Sequence, residues 1–111
     1  MKITNEDNME LMARYEDNNF DLAIVDPPYR DENQPTKDMR ANGSMKSLEG
    51  RPTQEYWNEL FRVSKEQIIW GANNMTQYIP PISSWIYWDK GTGDNDFSDG
   101  ELAYCSKGGA L

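Results

Sequence analysis

Four consecutive residues, Asp26-Pro27-Pro28-Tyr29, set a carboxylate, two rings without amide hydrogens and an aromatic hydroxyl directly behind a short apolar run. A carboxylate and a backbone carbonyl are both acceptors, so together they can hold the two hydrogens of an amine. An amine conjugated to a heteroaromatic ring has a delocalised lone pair, and two well-placed acceptors favour the tetrahedral geometry in which that pair is released for attack. Asp26 supplies one acceptor and the Pro27 carbonyl the other, its direction preset by the fixed φ of proline. Tyr29 adds a flat face on which an extruded base can stack, a contact worth roughly 1–3 kcal/mol in base-binding sites. The chemistry suited to this set is methylation of the exocyclic amine of a base. Its plainer alternative is a Pro-Pro turn closing a strand, with Asp26 as a cap and Tyr29 packed nearby.

For such a set to act, Asp26 must stand at the carboxyl end of a strand, because ligands of open α/β sheets bind outside those ends. Phe20, Leu22, Ala23, Ile24 and Val25, interrupted only by Asp21, predict a strand buried on both faces and stopped by the two prolines. Ahead of it, Met9, Leu11, Met12 and Tyr15 have the spacing of one helix face over 8–15, with Asn5 or Asp7 as N-cap. Behind it, Tyr56, Trp57, Leu60, Phe61 and Val63 predict a helix over 53–64. Further strands are expected over 67–70, 85–88 and 101–105, with one or two helical turns over 73–78. This alternation predicts one α/β domain over 1–111, with a mostly parallel sheet and flanking helices. Residues 30–52 read as a long mobile loop. No helical pattern follows 101–105, so the last strand is expected to lie exposed at a sheet edge.

The chain resembles a known family over most of its length. The stretches Glu6-Asp7-Asn8-Met9-Glu10-Leu11-Met12, Asn19 through Tyr29, Leu60 through Asn74, Trp85-Ile86-Tyr87-Trp88-Asp89-Lys90 and Phe97-Ser98-Asp99-Gly100-Glu101-Leu102-Ala103 are similar to segments of the S-adenosylmethionine-dependent DNA amino-methyltransferases with the DPPY signature. These enzymes act on adenine or on the cytosine exocyclic amine. The order resembles that of the permuted, phage-like class, in which the catalytic half precedes the cofactor half. The resemblance implies a partial Rossmann-like methyltransferase fold, DNA as the partner that presents a flipped base, and S-adenosylmethionine as cofactor. It implies that Asp26, Pro27, Pro28 and Tyr29 hold the target base. It also places Asp7, and with it Asp26, at the cofactor. In the family the methyl group passes directly from sulfonium to amine, so Cys105 is not expected to be a nucleophile and reads as a small buried residue.

Two family features do not occur in these 111 residues: the Phe-x-Gly-x-Gly loop that cradles the methionine part of the cofactor, and a target-recognition region. The chain is therefore expected to correspond to a catalytic half, truncated before the cofactor half. Methyl transfer, with adenine the expected target, would be impaired unless a partner chain supplies the missing half. The alternative is a non-catalytic remnant that serves as an oligomerisation or partner-binding module.

Composition narrows the remaining classes. Eleven basic and nineteen acidic residues give a net charge of −8, which argues against broad electrostatic binding of nucleic acid, so something else must help hold a polynucleotide. With no histidine and a lone Cys105, common zinc sites, histidine acid/base chemistry and an internal disulfide are excluded. No apolar run approaches the roughly 18 residues of a membrane span, and the N-terminus lacks a signal-peptide segment, so a cytoplasmic location is expected. Gly91-Thr92-Gly93 lacks the third glycine of a dinucleotide fingerprint and reads as a turn. The acidic stretch from Asp94 to Glu101 misses the glycine and glutamate of a calcium loop and reads as solvated. Trp57, Trp70, Trp85 and Trp88 are expected in the core. Asn73 and Asn74 either line a base or cofactor pocket or cap a turn.

Overall fold

The computed structural model describes residues 1–28, 51–91 and 100–107. Helix α1, Asn8–Ala13, begins where Asp7 accepts a hydrogen bond from the Glu10 amide at 3.3 Å, which makes Asp7 the cap that the sequence had left open between two residues. Strand β1, Phe20–Val25, ends at the two prolines as expected. Helix α2, Gln54–Val63, starts behind an extended Thr53, and its apolar positions Tyr56, Trp57, Leu60 and Val63 are all buried. It passes directly into β2, Ser64–Trp70, which is three residues longer at its start than the apolar pattern predicts. The junction is tied by the Ser64 hydroxyl, which donates to the Leu60 carbonyl at 2.6 Å. A 3₁₀ turn at Ala72–Asn74 follows Gly71, whose φ of 72° is the left-handed conformation that glycine adopts without strain. Strands β3, Trp85–Asp89, and β4, Gly100–Cys105, complete the fold.

The sheet order is β1-β2-β4-β3. β1 pairs with β2 in parallel, whereas β4 is antiparallel to both β2 and β3. The sheet is thus mixed and not mostly parallel, because β4 returns as a hairpin partner of β3 and inserts beside β2. The expectation of an exposed final strand is corrected by the same fact: β4 is interior, and among the described residues the edge strands are β1 and β3. The end of β4 is clipped to β2 by Ser106, whose amide donates to the Gln67 carbonyl and whose hydroxyl accepts from the Gln67 amide and donates to Glu66.

One layer covers this sheet among the described residues. Val25, Ile69, Tyr104 and Trp85 stand in register across all four strands, and Ile69 and Tyr104 pack with Trp57, Leu60, Val63, Met75 and Ile79 into a single core. Arg62 locks α1 onto α2. Its guanidinium donates to the Met12 and Tyr15 carbonyls at 3.0 and 2.9 Å and pairs with Glu59 and Asp17, which raises the Arg62 pKa and holds Glu59 below the usual carboxylate range. The opposite face of the sheet is not buried in this way. Leu22 and Ile24 of β1 are exposed, so the prediction of a strand buried on both faces fails: β1 is an edge strand with a helix layer on one side. Among the described residues no helix is long and apolar enough to cross a membrane.

Candidate functional site

Because β1, β2 and β3 run in one direction, their carboxyl ends meet at one edge of the sheet, joined there by the start of β4. Asp26 is the first residue beyond β1 and is exposed, while Pro27 behind it is buried, so the carbonyl that follows the carboxylate belongs to a fixed residue. Asp26 lines an open cavity of about 570 Å³ together with Trp70, Ile86, Tyr87, Trp88 and Glu101. Each of these residues lies on β2, β3 or β4, close to that same edge. Mostly apolar walls with a few polar groups are the usual make-up of a ligand cleft.

The walls are held by specific contacts. The Trp70 and Trp88 rings meet edge to face at a centroid distance of 6.3 Å and 79°. The Lys90 ammonium lies 5.6 Å from the centroid of the Trp88 ring and bridges to Glu101 at 2.6 Å. Trp88 and Glu101 are register partners on β3 and β4, and Trp70 and Ile86 both pair with Ala103, so these side chains share the sheet face opposite α2. On the other face, the Tyr87 ring lies across Gly100, where any side chain would overlap it. A side chain at this position would have to displace the exposed Tyr87 ring.

The structure brings together only part of the set marked in the sequence. Asp26 lines the cavity, with Pro27 and Pro28 directly behind it in the chain, whereas Tyr29 lies outside the described residues, as do most of the long loop and Asp94, Asp96 and Asp99. Asp7 caps α1 and does not line the cavity. Asn73 and Asn74 are exposed and do not line the cavity; the Asn74 amide and side chain both donate to the Gly71 carbonyl, at 3.0 and 3.2 Å, which closes the 3₁₀ turn, whose cap is Gly71 and not an asparagine. Cys105 is half-buried in β4.

Trp57 and Trp85 occupy the core or its margin as expected, but Trp70 and Trp88 do not. Trp70 is half-buried and Trp88 is 53% exposed, and both line the cavity. Their signal was present in the sequence: each closes or nearly closes a predicted strand at its carboxyl end, the position from which ligands are bound. Apolar character alone assigned them to the interior. A second groove, between α1 and α2, is lined by Met9, Ala13, Glu55, Asn58, Glu59 and Arg62, of which Glu59 and Arg62 are engaged with each other in the helix clamp. Compared with protein-family models, with characterised proteins and with solved structures, the chain matches none.

Proposed function

We propose that this chain carries the base-binding part of an S-adenosylmethionine-dependent DNA amino-methyltransferase of Rossmann-like type, with the exocyclic amine of adenine as the methyl acceptor. The observation that carries the reading is the place of Asp26: first residue past a parallel strand, exposed, on the wall of an aromatic cavity, and followed by a buried proline. A carboxylate and a carbonyl so placed can accept both hydrogens of an amine and leave its lone pair directed outward. The cofactor, when bound, supplies the methyl group as a sulfonium; the chain's own residues hold the amine, orient its ring and keep water from one side of it. Asp7, Pro28 and Tyr29 retain the roles that the family resemblance implies.

The test is transfer of a labelled methyl group from S-adenosylmethionine to unmethylated DNA by the wild type and by Asp26→Ala. Incorporation by the wild type that falls at least 100-fold in the variant, in line with the loss of a group that acts only on the transition state, is expected, from roughly 10²–10³-fold for one such contact. Equal incorporation by both would overturn the reading. Since no Phe-x-Gly-x-Gly segment occurs in these residues, tight cofactor binding is expected only when that loop is supplied as well.

A second reading, a non-catalytic module that binds a partner or a second copy, is favoured by a different observation. The apolar side chains Leu22, Ile24 and Ile86 stand exposed on one face of the sheet. In this form it rests on that face and on β1 and β3 as the edge strands among the described residues, not on the final strand.

A further inference from the structure

The sheet face opposite α2 is an apolar strip with a carboxylate at each end. Register sets Leu22 beside Glu66 and Ile24 beside Ile68, and on the same face Trp70 and Ile86 flank Ala103. Leu22, Ile24, Ile86 and Trp88 are exposed, whereas the residues that alternate with them point toward the core. Glu66 stands at the amino end of the strip; it accepts from the Ser106 hydroxyl but pairs with no cation among the described residues. At the carboxyl end stands Asp26, on the wall of the aromatic cavity. Glu101 in that wall is already paired with Lys90, but Asp26 takes no hydrogen-bond or ion-pair partner from the described residues. An unpaired carboxylate on apolar walls suits a cationic head carried on an apolar stem, as in the side chains of lysine and arginine.

Parallel strand pairs are ordinarily covered by helices on both faces, and among the described residues β1 and β2 are covered on one. A second copy of this chain is a poor source of the other layer. The exposed positions of its α1 and α2 are mainly polar, Glu10, Gln54, Glu55 and Asn58 among them, and two such sheet faces set together would oppose Asp26 and Glu66 to like charges on chains of net charge −8. We propose that this face docks an amphipathic helix of another protein, with its apolar stripe along β1 and β2 and a basic residue at each end, one toward Glu66 and the other in the cavity against Asp26. From Leu22, the register partner of Glu66, to Asp26 the strand rises about 13 Å, which a helix spans in about nine residues. The occupant therefore carries Lys or Arg about nine positions apart, with apolar residues spaced i, i+3, i+7 between them. The proposal rests on the second reading above, in which the chain is a binding module, and names the chemistry of its partner.

The experiment titrates the intact chain, at low and high salt, with helical peptides of about 16 residues that lack tryptophan. One has this pattern, one has glutamate in place of the two basic residues, and one has the same composition with its apolar residues scattered round the helix. Binding is read by tryptophan fluorescence and calorimetry, and self-association by sedimentation. The patterned peptide is expected to bind most tightly and to weaken as salt rises. Ile24→Gln is expected to weaken it by about tenfold or more, as loss of an interface anchor does. Asp26→Asn and Glu66→Gln are each expected to weaken it by roughly 2- to 5-fold and not to weaken the glutamate peptide. Circular dichroism confirms that each variant is folded. Equal affinity for the three peptides, or for the wild type and folded Ile24→Gln, overturns the proposal. Self-association that Ile24→Gln abolishes, with no peptide bound, also overturns it but keeps the module reading, with a second copy as occupant. Neither binding nor self-association overturns both. Asp26-dependent methyl transfer that a saturating concentration of the patterned peptide leaves unchanged overturns the basic contact in the cavity and leaves the methylation reading standing.

Discussion

Neighbouring rows of the same sheet meet opposite fates. Val25, Ile69, Tyr104 and Trp85 lie beneath α2 and the turns after β2, and Ile69 is completely buried. The adjacent positions on the other side, Ile24 beside Ile68 and Ile86 beside Ala103, are as apolar, yet Ile24 is 62% exposed. Strands paired in parallel are ordinarily covered on both faces, because crossover helices supply two layers. In this fold the described helices pack together on one side, tied by Arg62, and the other face ends in the aromatic cavity. The contrast separates two uses of apolar surface: on one face it holds the fold together, and on the other it remains open to a ligand or a partner.

The sharpest way to break this contrast is to truncate one tryptophan on each side. Trp57 is fully buried, stacks near Tyr78 and meets Tyr56 edge to face, so Trp57→Ala is expected to cost about 3–5 kcal/mol and to abolish a cooperative unfolding transition in a domain of this size. Its indole N–H has no hydrogen-bond partner among the described residues, so Trp57→Phe is expected to cost far less than the alanine variant. Trp88→Ala, by contrast, is expected to lower stability by about 1 kcal/mol or less in denaturant unfolding. Equal losses at the two positions would mean that the second face is covered after all.

A smaller effect is expected at high pH. Burial alone pushes the Tyr56 phenol up to about 12 from its ordinary 10.0, so the folded state keeps this proton more tightly than the unfolded chain does. The resulting stability is fully present below about pH 10 and is lost as the pH rises toward about 12. Unfolding midpoints measured across that window should fall for the wild type and fall less for Tyr56→Phe. A pH dependence identical in both would show that the phenol does not titrate inside the covered layer.

The smallest change is expected on the open face. Ile24→Gln should alter the thermal midpoint by no more than the equivalent of about 0.5 kcal/mol, the usual range for surface substitutions, and should raise solubility by reducing the apolar patch. A loss of 2 kcal/mol or more would place Ile24 in a packed interface.

Much of this was legible in the chain. The 3.6-residue spacing of Tyr56, Trp57, Leu60 and Phe61 located α2, the two prolines set the end of β1, and glycine at 71 ended β2 where the expected turn begins. Local physics decides such features: side-chain periodicity, a missing amide hydrogen, a left-handed backbone position. Other features were not legible for an equally physical reason. Ser64, Lys65 and Glu66 are polar and gave no strand signal, yet they extend β2 because β1 offers them parallel partners. Trp70 and Trp88 were assigned to the core because an indole in an apolar run carries no mark of which face it will take.

The amino acids by themselves determined an α/β chain with Asp26 at a strand's carboxyl end and proline behind it, since each of those outcomes depends on residues within a few positions of one another. Only the tertiary structure decided that β4 inserts between β2 and β3, that one face of the sheet is covered and the other open, and that Trp70, Trp88 and Glu101 join Asp26 around one cavity. Those outcomes are set by pairing between segments as much as 44 residues apart, as Phe20 and Ser64 are, where the register of one strand against another, and not local preference, determines which side chains meet.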